Sequence, residues 1–295
     1  MDGITLKQLR YCDAVARHAH FGRAAEVCAI SQPAISVQVR ELEETLGAAL
    51  FERGARQVRL TAFGAEFVGR AREILRAVDD LGDMARAARE GFAGQLRLGV
   101  IPTIAPYLLP RVIGALAASH ADLDLQVRET QTERLIADVL EGRLDTAILA
   151  LPVSESALTE RALFDESFVL VRPAADADKP EPDAADLARM RLLLLEEGHC
   201  FRDQALAFCG MRAPLPRESM EGSSLSTLVQ MVSAGIGVTL IPEMAVPVET
   251  RSADVAVARF PPPGPTRKIG MIWRRSSPLA EQFETVAEVV SAAAL

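Results

Sequence analysis

The stretch EEGHCFRDQALAFC, residues 196–209, holds two of the chain's four cysteines, Cys200 and Cys209, with eight residues between them. Two thiols that can meet will pass reversibly between dithiol and disulfide, and a thiolate is the nucleophile that starts the exchange. The spacing is neither CxxC nor that of a zinc site, and the four histidines form no ligand cluster. No metal or cofactor is called for. The opening MDGITLKQLRYCDAVARHAHFG lacks the apolar core of a secretory signal. No run approaches the roughly 18 apolar residues of a membrane span. A cytoplasmic protein with no membrane partner is expected, and there a disulfide is transient, catalytic or sensory.

The flanking residues sharpen that chemistry. RLLLLEEG reads as a buried strand ending in a turn, so His199 and Cys200 sit where the strand opens. FRDQALAFC reads as a helix that brings Phe201, Ala205, Phe208 and Cys209 within about 100° of arc, which aims Cys209 at a core. If that helix reached back to Cys200, nine steps would separate the two Cα atoms by roughly 13 Å. A disulfide needs less than about 7 Å. Joining the thiols therefore requires the segment to unwind. Cys200 is the better nucleophile, since His199 or Arg202 and a helix N-terminus favour its thiolate. Cys209 would then resolve a sulfenic acid on Cys200. Two inert structural cysteines remain the alternative on spacing alone.

The elements that position these thiols span 295 residues, 49% apolar and 24% charged, which suits two or three folded domains. The net charge of −8 is uneven. Residues 1–65 carry eight Lys/Arg against seven Asp/Glu, and the remainder 24 against 33, so a DNA-binding module at the N-terminus is permitted. There, residues 6–19 and 22–29 read as two short helices. ISQPAISVQVRELEETLG reads as a third, capped by Ser31, with Pro33 in its first turn and Gly47 as its stop. Ile35, Val39, Leu42 and Leu46 make its buried stripe. Pro33, Ser36, Val37 and Arg40 occupy the opposite face, with Gln32 and Gln38 at the flanks, a set suited to base edges in a major groove. FERGARQVRLT, with Arg53, Arg56 and Arg59, reads as a hairpin wing that places cations beside phosphates. Cys12 and Cys28 fall on helical positions as small core residues.

From Thr61 onward, Phe67, Ala71, Ile74, Val78, Leu81, Ala85, Ala88 and Phe92 recur at heptad spacing, a seam that asks for a partner helix or for its own domain. After Gly94, strands alternate with helices: QLRLGVI, a helix beginning at Thr103, DLQVRET, QTERLIADVLEG, TAILA, and later FVLVRP, RLLLLE, VTLIP and KIGMIW. This alternation predicts parallel sheets with right-handed crossovers. KIGMIW and helix 278–293 are expected to return to the first of two α/β subdomains. Thr103 and Thr132 fall just after strands near helix starts, where such sheets bind ligands, although each could be a plain N-cap.

FGRAAEVCAISQPAISVQVRELEETLGAALFER resembles the winged helix-turn-helix of LysR-type transcriptional regulators, in its AA-x-x-C-x-x-SQPA-x-S register and its L-E-x-x-LG-x-x-LFER continuation. The resemblance continues along the whole chain. GHCFRDQALAFC, IPTIAPYLLP and ETQTERL closely resemble the hydrogen-peroxide-sensing members of that family. It implies an α/β protein with a winged helix-turn-helix at 1–61 and a dimerising linker helix at 62–91. An effector domain at 92–295 would follow, with two Rossmann-like subdomains of periplasmic-binding-protein type, 92–164 plus 268–295 and 165–267. It implies Cys200 as peroxidatic and Cys209 as resolving cysteine, with Thr103, Thr132, His199 and Arg267 lining a peroxide pocket. Gln32, Pro33, Ser36, Val37, Arg40, Arg53 and Arg56 would contact DNA. The implied partners are double-stranded promoter DNA, hydrogen peroxide as signal, RNA polymerase, and further copies of the chain as a homodimer or dimer of dimers. A metabolite-responsive relative that binds a small anion, and a thiol peroxidase, are the competing readings.

Overall fold

The structure is a computed structural model that describes residues 3–52, 58–87, 94–181, 183–187, 189–208, 221–262 and 264–294. The chain forms two compact units, residues 1–85 and 86–295. In the first, helices α1 (Leu6–His18), α2 (Phe21–Val27) and α3 (Gln32–Leu46) close over Cys12, Val15, Ala24, Ile35, Val39 and Leu42. The caps follow the sequence. The Ser31 hydroxyl accepts from Ala34 N, Pro33 occupies the first turn, and Gly47 ends α3 at φ +66°, a conformation glycine takes without strain. Glu43 on α3 accepts from the backbone N–H groups of Leu50 and Phe51, which fixes the chain entering the wing. Phe51 pairs with Leu60 across an antiparallel bridge. Arg53 and Arg56 lie outside the described residues.

The long helix α4 (Ala62–Ala87) divides its apolar residues between two faces. Val68, Ala71 and Leu75 are buried, and Ala71 and Leu75 pack with Leu9 of α1. Asp13 of α1 accepts from both Arg17 and Arg72, pinning α4 beside it. Ile74 and Leu81 are exposed, Leu81 at 64%. The expected seam is thus shared. Ala71 serves the domain itself, and Ile74 and Leu81 point outward. Ala88 and Phe92 lie outside the described residues.

The second unit runs β1 (Gly94–Val100), α5 (Ala105–Ser119), β2 (Leu123–Glu129), α6 (Thr132–Leu140), β3 (Thr146–Leu151) and β4 (Leu158–Pro173). It continues with α7 (Ala184–Leu187), β5 (Leu192–Leu195), α8 (Cys200–Phe208), β6 (Glu221–Gly222), α9 (Leu225–Ser233) and β7 (Val238–Pro242). It ends with α10 (Val246–Glu249), β8 (Val255–Arg259), β9 (Thr266–Arg274) and α11 (Ala280–Ala294). The strand order is β2-β1-β3-β9-β4-β7-β5-β6, with β8 also on β4.

Pairing is parallel for β1 with β2 and β3, and for β5 with β6 and β7. It is antiparallel wherever β4 or β9 takes part, which corrects the expectation of purely parallel sheets. The reason is topological. β9 returns to the first subdomain from the second, and a strand returning beside its neighbour without a crossover helix must run against it. The first part of β4, Leu158–Ser167, pairs with β9, and its second part pairs with β7 and β8. β4 and β9 therefore tie the two subdomains together. One core lies around Leu98, Ile148, Met271, Trp273, Leu108 and Phe283, the other around Val171, Leu193, Ile241, Leu228 and Phe201. Among the described residues no helix is long and apolar enough to cross a membrane.

Candidate functional site

Strand β5 is four buried leucines, and after it the chain must turn sharply to start α8. Gly198 makes that turn at φ +93°, and a Cβ there would lie 2.6 Å from Gln131 Oε1. Glycine is required there by conformation, and any side chain would displace the Gln131 amide. Gln131, just before α6, donates through Nε2 to the carbonyl of Glu197 at 3.3 Å. The first subdomain thus holds the turn that precedes the thiol.

Cys200 is the first residue of α8, half-buried, and carries a free thiol packed against the first core. Its neighbour Phe201 is buried in the second core. Adjacent residues thus seat in opposite subdomains. The two side chains expected to favour the Cys200 thiolate supply no free positive charge here. His199 is buried, and desolvation lowers its pKa despite the opposing pull of Glu196, so its ring is neutral near neutral pH. Arg202 is turned away, donating to the Leu195 carbonyl at 2.8 Å and to Glu221 at 2.7 Å. It anchors the first turn of α8. Cys209 lies outside the described residues.

Arg267 is the electrostatic centre of the site, its side chain 1% exposed. Its Nε and Nη2 engage Glu166 Oε2 at 2.7 and 2.6 Å. Its Nη1 donates to Thr103 Oγ1 at 2.8 Å, and its Nη2 also donates to the Thr103 carbonyl at 3.1 Å. Glu166 and Arg267 are cross-strand partners on β4 and β9. The guanidinium carbon stands 5.3 Å from the ring centre of Phe201, which in turn lies 4.7 Å from that of Phe168. Arginine only donates, so the Thr103 oxygen is occupied as an acceptor and its own hydroxyl proton remains to be given. Thr103 caps no helix. α5 begins at Ala105 rather than Thr103, because Ile101–Ile104 first make a turn.

Thr103 opens onto a cavity of about 370 Å³ between the subdomains. Tyr107, Glu129 and Gln131 line it from one side, and Glu196, His199 and Glu249 from the other. Tyr107 donates to Glu249 at 2.6 Å, a bond across the cleft. Thr132, Cys200 and Arg267 do not line this cavity. Thr132 is the first residue of α6, and its hydroxyl is buried with no hydrogen-bond partner among the described residues. The structure brings together Thr103, Arg267, His199 and, through Phe201, the start of α8. The sequence reading missed Tyr107, Gln131, Glu166 and Glu249, since each acts through a partner more than 60 residues away. No local pattern announces such a pair.

In the first unit, Gln32, Pro33, Val37 and Arg40 are exposed on α3 and Ser36 is half-buried. Gln38 is engaged by Glu41 at 2.7 Å. Cys12 is buried and its thiol is pushed up to about 12 by desolvation first and then by Asp13 and Glu43, so it is inert at neutral pH.

Residues 6–65 match the family model described as the bacterial regulatory helix-turn-helix protein, lysR family, and residues 89–294 match the LysR substrate binding domain. The chain is 41% identical over 294 residues to the DNA-binding transcriptional dual regulator OxyR of Escherichia coli K12, covering 98% of this chain and 95% of that protein. It is 44% identical over 293 residues to the probable hydrogen peroxide-inducible genes activator of Streptomyces viridosporus, covering 96% and 92%. Among solved structures, a cysteine-to-aspartate variant of full-length OxyR from Pseudomonas aeruginosa matches at TM-score 0.78 and 37% identity, over 98% and 95% of the two chains. A hydrogen-peroxide-bound cysteine-to-serine variant of OxyR from Corynebacterium glutamicum matches at TM-score 0.68 and 35% identity, over 98% and 92%.

Proposed function

The chain belongs to the LysR family of bacterial helix-turn-helix regulators, and we propose that within it this protein is a hydrogen-peroxide sensor switched by a reversible disulfide between Cys200 and Cys209. One observation carries the reading: the thiol of Cys200 begins a helix whose first two residues seat in different subdomains. From Cys200 to Phe208 the helix climbs eight steps, about 12 Å. One further step of about 3.8 Å cannot bring residue 209 within disulfide reach while α8 stays wound. Bond formation and the unwinding of α8 are then one event, and unwinding withdraws Phe201 from the second core and from the guanidinium of Arg267.

The chemistry balances with peroxide alone. The Cys200 thiolate attacks one peroxide oxygen, the S–O bond forms as the O–O bond breaks, and the departing hydroxide takes a proton to leave as water. The Cys209 thiolate then attacks the sulfenic sulfur, the S–S bond forms, and a second water leaves. Thr103, polarised by Arg267, is set to donate to a peroxide oxygen, and Thr132 offers an unpartnered hydroxyl. Neutral His199 would hold a proton without repelling or attracting an uncharged oxidant. The cavity presents Glu129, Glu196 and Glu249, which disfavours the rival reading of a small anionic metabolite. A thiol peroxidase would turn over continuously with a reductant, whereas a sensor reacts once per reset. DNA footprinting of reduced and peroxide-treated protein tests the proposal, and an unchanged footprint after full disulfide formation would refute it.

The regulator would act on double-stranded promoter DNA, with RNA polymerase as partner, in the cytoplasm, through α3. Arg40→Ala should lose about 1–3 kcal/mol of discrimination between operator and scrambled DNA. Arg56→Ala should instead weaken both and flatten the salt dependence. Equal loss of specificity in both variants, measured by titration at two salt concentrations, would count against the assignment.

Assembly would run through the outward face of α4, into a homodimer or dimer of dimers. Leu81 is exposed within its own chain, so Leu81→Asp should leave the monomer's fold untouched. In a helix pair it would bury an unpaired charge at a cost of several kcal/mol. Sedimentation should show smaller species, and unchanged sedimentation would place the seam elsewhere.

A further inference from the structure

On the far side of the second subdomain from α8's thiol chemistry lies a cavity of about 270 Å³, walled by Leu170, Met190 and Val238 and by three cations, Arg172, Lys179 and Arg191. Arg172 on β4 is 7% exposed. Its Nη1 donates to the Pro180 carbonyl at 3.1 Å and its Nη2 to the Ala177 carbonyl at 2.8 Å. Its Nε–H is buried and has no acceptor among the described residues. No carboxylate pairs with it among the described residues. Buried guanidinium groups are ordinarily met by an anion, because desolvating an uncompensated charge costs several kcal/mol. Arg202 meets Glu221 and Arg267 meets Glu166 in this same domain. Arg172 departs from that pattern.

The rim deepens the positive field. Arg191 is exposed, and Lys179 is paired with Asp176 at 2.8 Å, so three cations face one carboxylate. This occurs in a part of the chain where acidic residues outnumber basic ones, 33 to 24 after residue 65. A cationic pocket on an acidic domain is not explained by solubility. The loop 177–180 is held over the pocket by the two carbonyls that Arg172 binds, so the guanidinium is oriented before any ligand arrives.

We propose that this pocket is a binding site for a small oxyanion, a phosphate or carboxylate group, held by Arg172 at its floor and by Arg191 and Lys179 at its rim. It is separate from the thiol site and does not rest on the reading of Cys200. The anion completes the charge on Arg172 and, by bridging β4, the 177–180 loop and the approach to β5, ties three elements of the second subdomain together.

Calorimetric titration of inorganic phosphate into the full-length chain, with ionic strength held constant by chloride, tests it. Saturable binding of one phosphate per chain is expected. The double variant Lys179→Ala with Arg191→Ala changes only rim side chains and should weaken phosphate by about tenfold, with an unchanged circular dichroism spectrum. Arg172→Gln should abolish binding, and where that variant does not fold, the rim pair carries the test. No saturable heat in the parent chain, or equal affinity in parent and rim variant, overturns the proposal.

Discussion

Replacing Cys200 by serine should leave the remaining thiol of residues 196–209, Cys209, unconsumed by peroxide, and the DNA footprint of the treated protein should match that of the reduced parent. The parent should lose two thiols per chain. Cys209→Ser separates the roles. It keeps the nucleophile at the start of α8 and removes the resolver, so oxidation should stop at a sulfenic acid on Cys200. Dimedone should trap that species, and the adduct should fade at high peroxide as sulfinic acid forms. In the parent, amide exchange across 201–208 should rise with disulfide formation, because α8 cannot stay wound while its ends are joined. Cys12 offers a control within the same chain. Its thiol is buried and raised to about 12, so it should survive peroxide doses that exhaust Cys200. A disulfide formed while 201–208 keeps full protection would break the coupling between oxidation and shape.

What the sequence disclosed about this site, and what it hid, follows from distance along the chain. The bounds of α3 were legible because their signals are local: a hydroxyl at Ser31 and a proline two residues on at the start, and a glycine at position 47 at the end. The strand RLLLLE was legible as an unbroken apolar run of strand length. The clasp around Arg267 was not. Glu166 lies 101 residues before it and becomes its neighbour only through the register of β4 on β9. The same strand pair explains the missed segment 158–167. Its alternation is broken by a bulge between Ala162 and Phe164, and half of it faces solvent, so neither strand period nor hydrophobic run stands out. Arg202 was misjudged for a related reason. Two residues from the thiol along the chain, it turns its charge to Glu221 and the Leu195 carbonyl instead. Sequence proximity located the thiol, and tertiary pairing drew the nearby cation away from it.

That pairing makes Arg267→Met the most damaging single change outside the cysteines. It removes the partner of a carboxylate that is itself almost fully buried, a loss of about 3–5 kcal/mol for a broken internal ion pair. It also frees the Thr103 oxygen and strips the cation from the face of Phe201. The loss should depend on pH in a defined sense. Burial lifts the Glu166 carboxyl above the usual range in the folded chain, and Arg267 opposes that lift. Without Arg267 the folded value rises further. A carboxyl whose folded pKa exceeds its unfolded value favours the fold while protonated, and that contribution is lost as pH climbs through the folded value. The variant's deficit against the parent, measured by urea unfolding, should therefore be larger at pH 8 than at pH 5. Adding Glu166→Leu should recover much of the lost stability at pH 8, because no buried charge is then left alone. It should not restore peroxide reactivity, since Thr103 and Phe201 remain unclasped. A double variant as slow to unfold as the parent and as quick to react with peroxide would mean that Arg267 serves the fold and not the switch. Equal deficits at both pH values would mean that Glu166 is not the charge it holds.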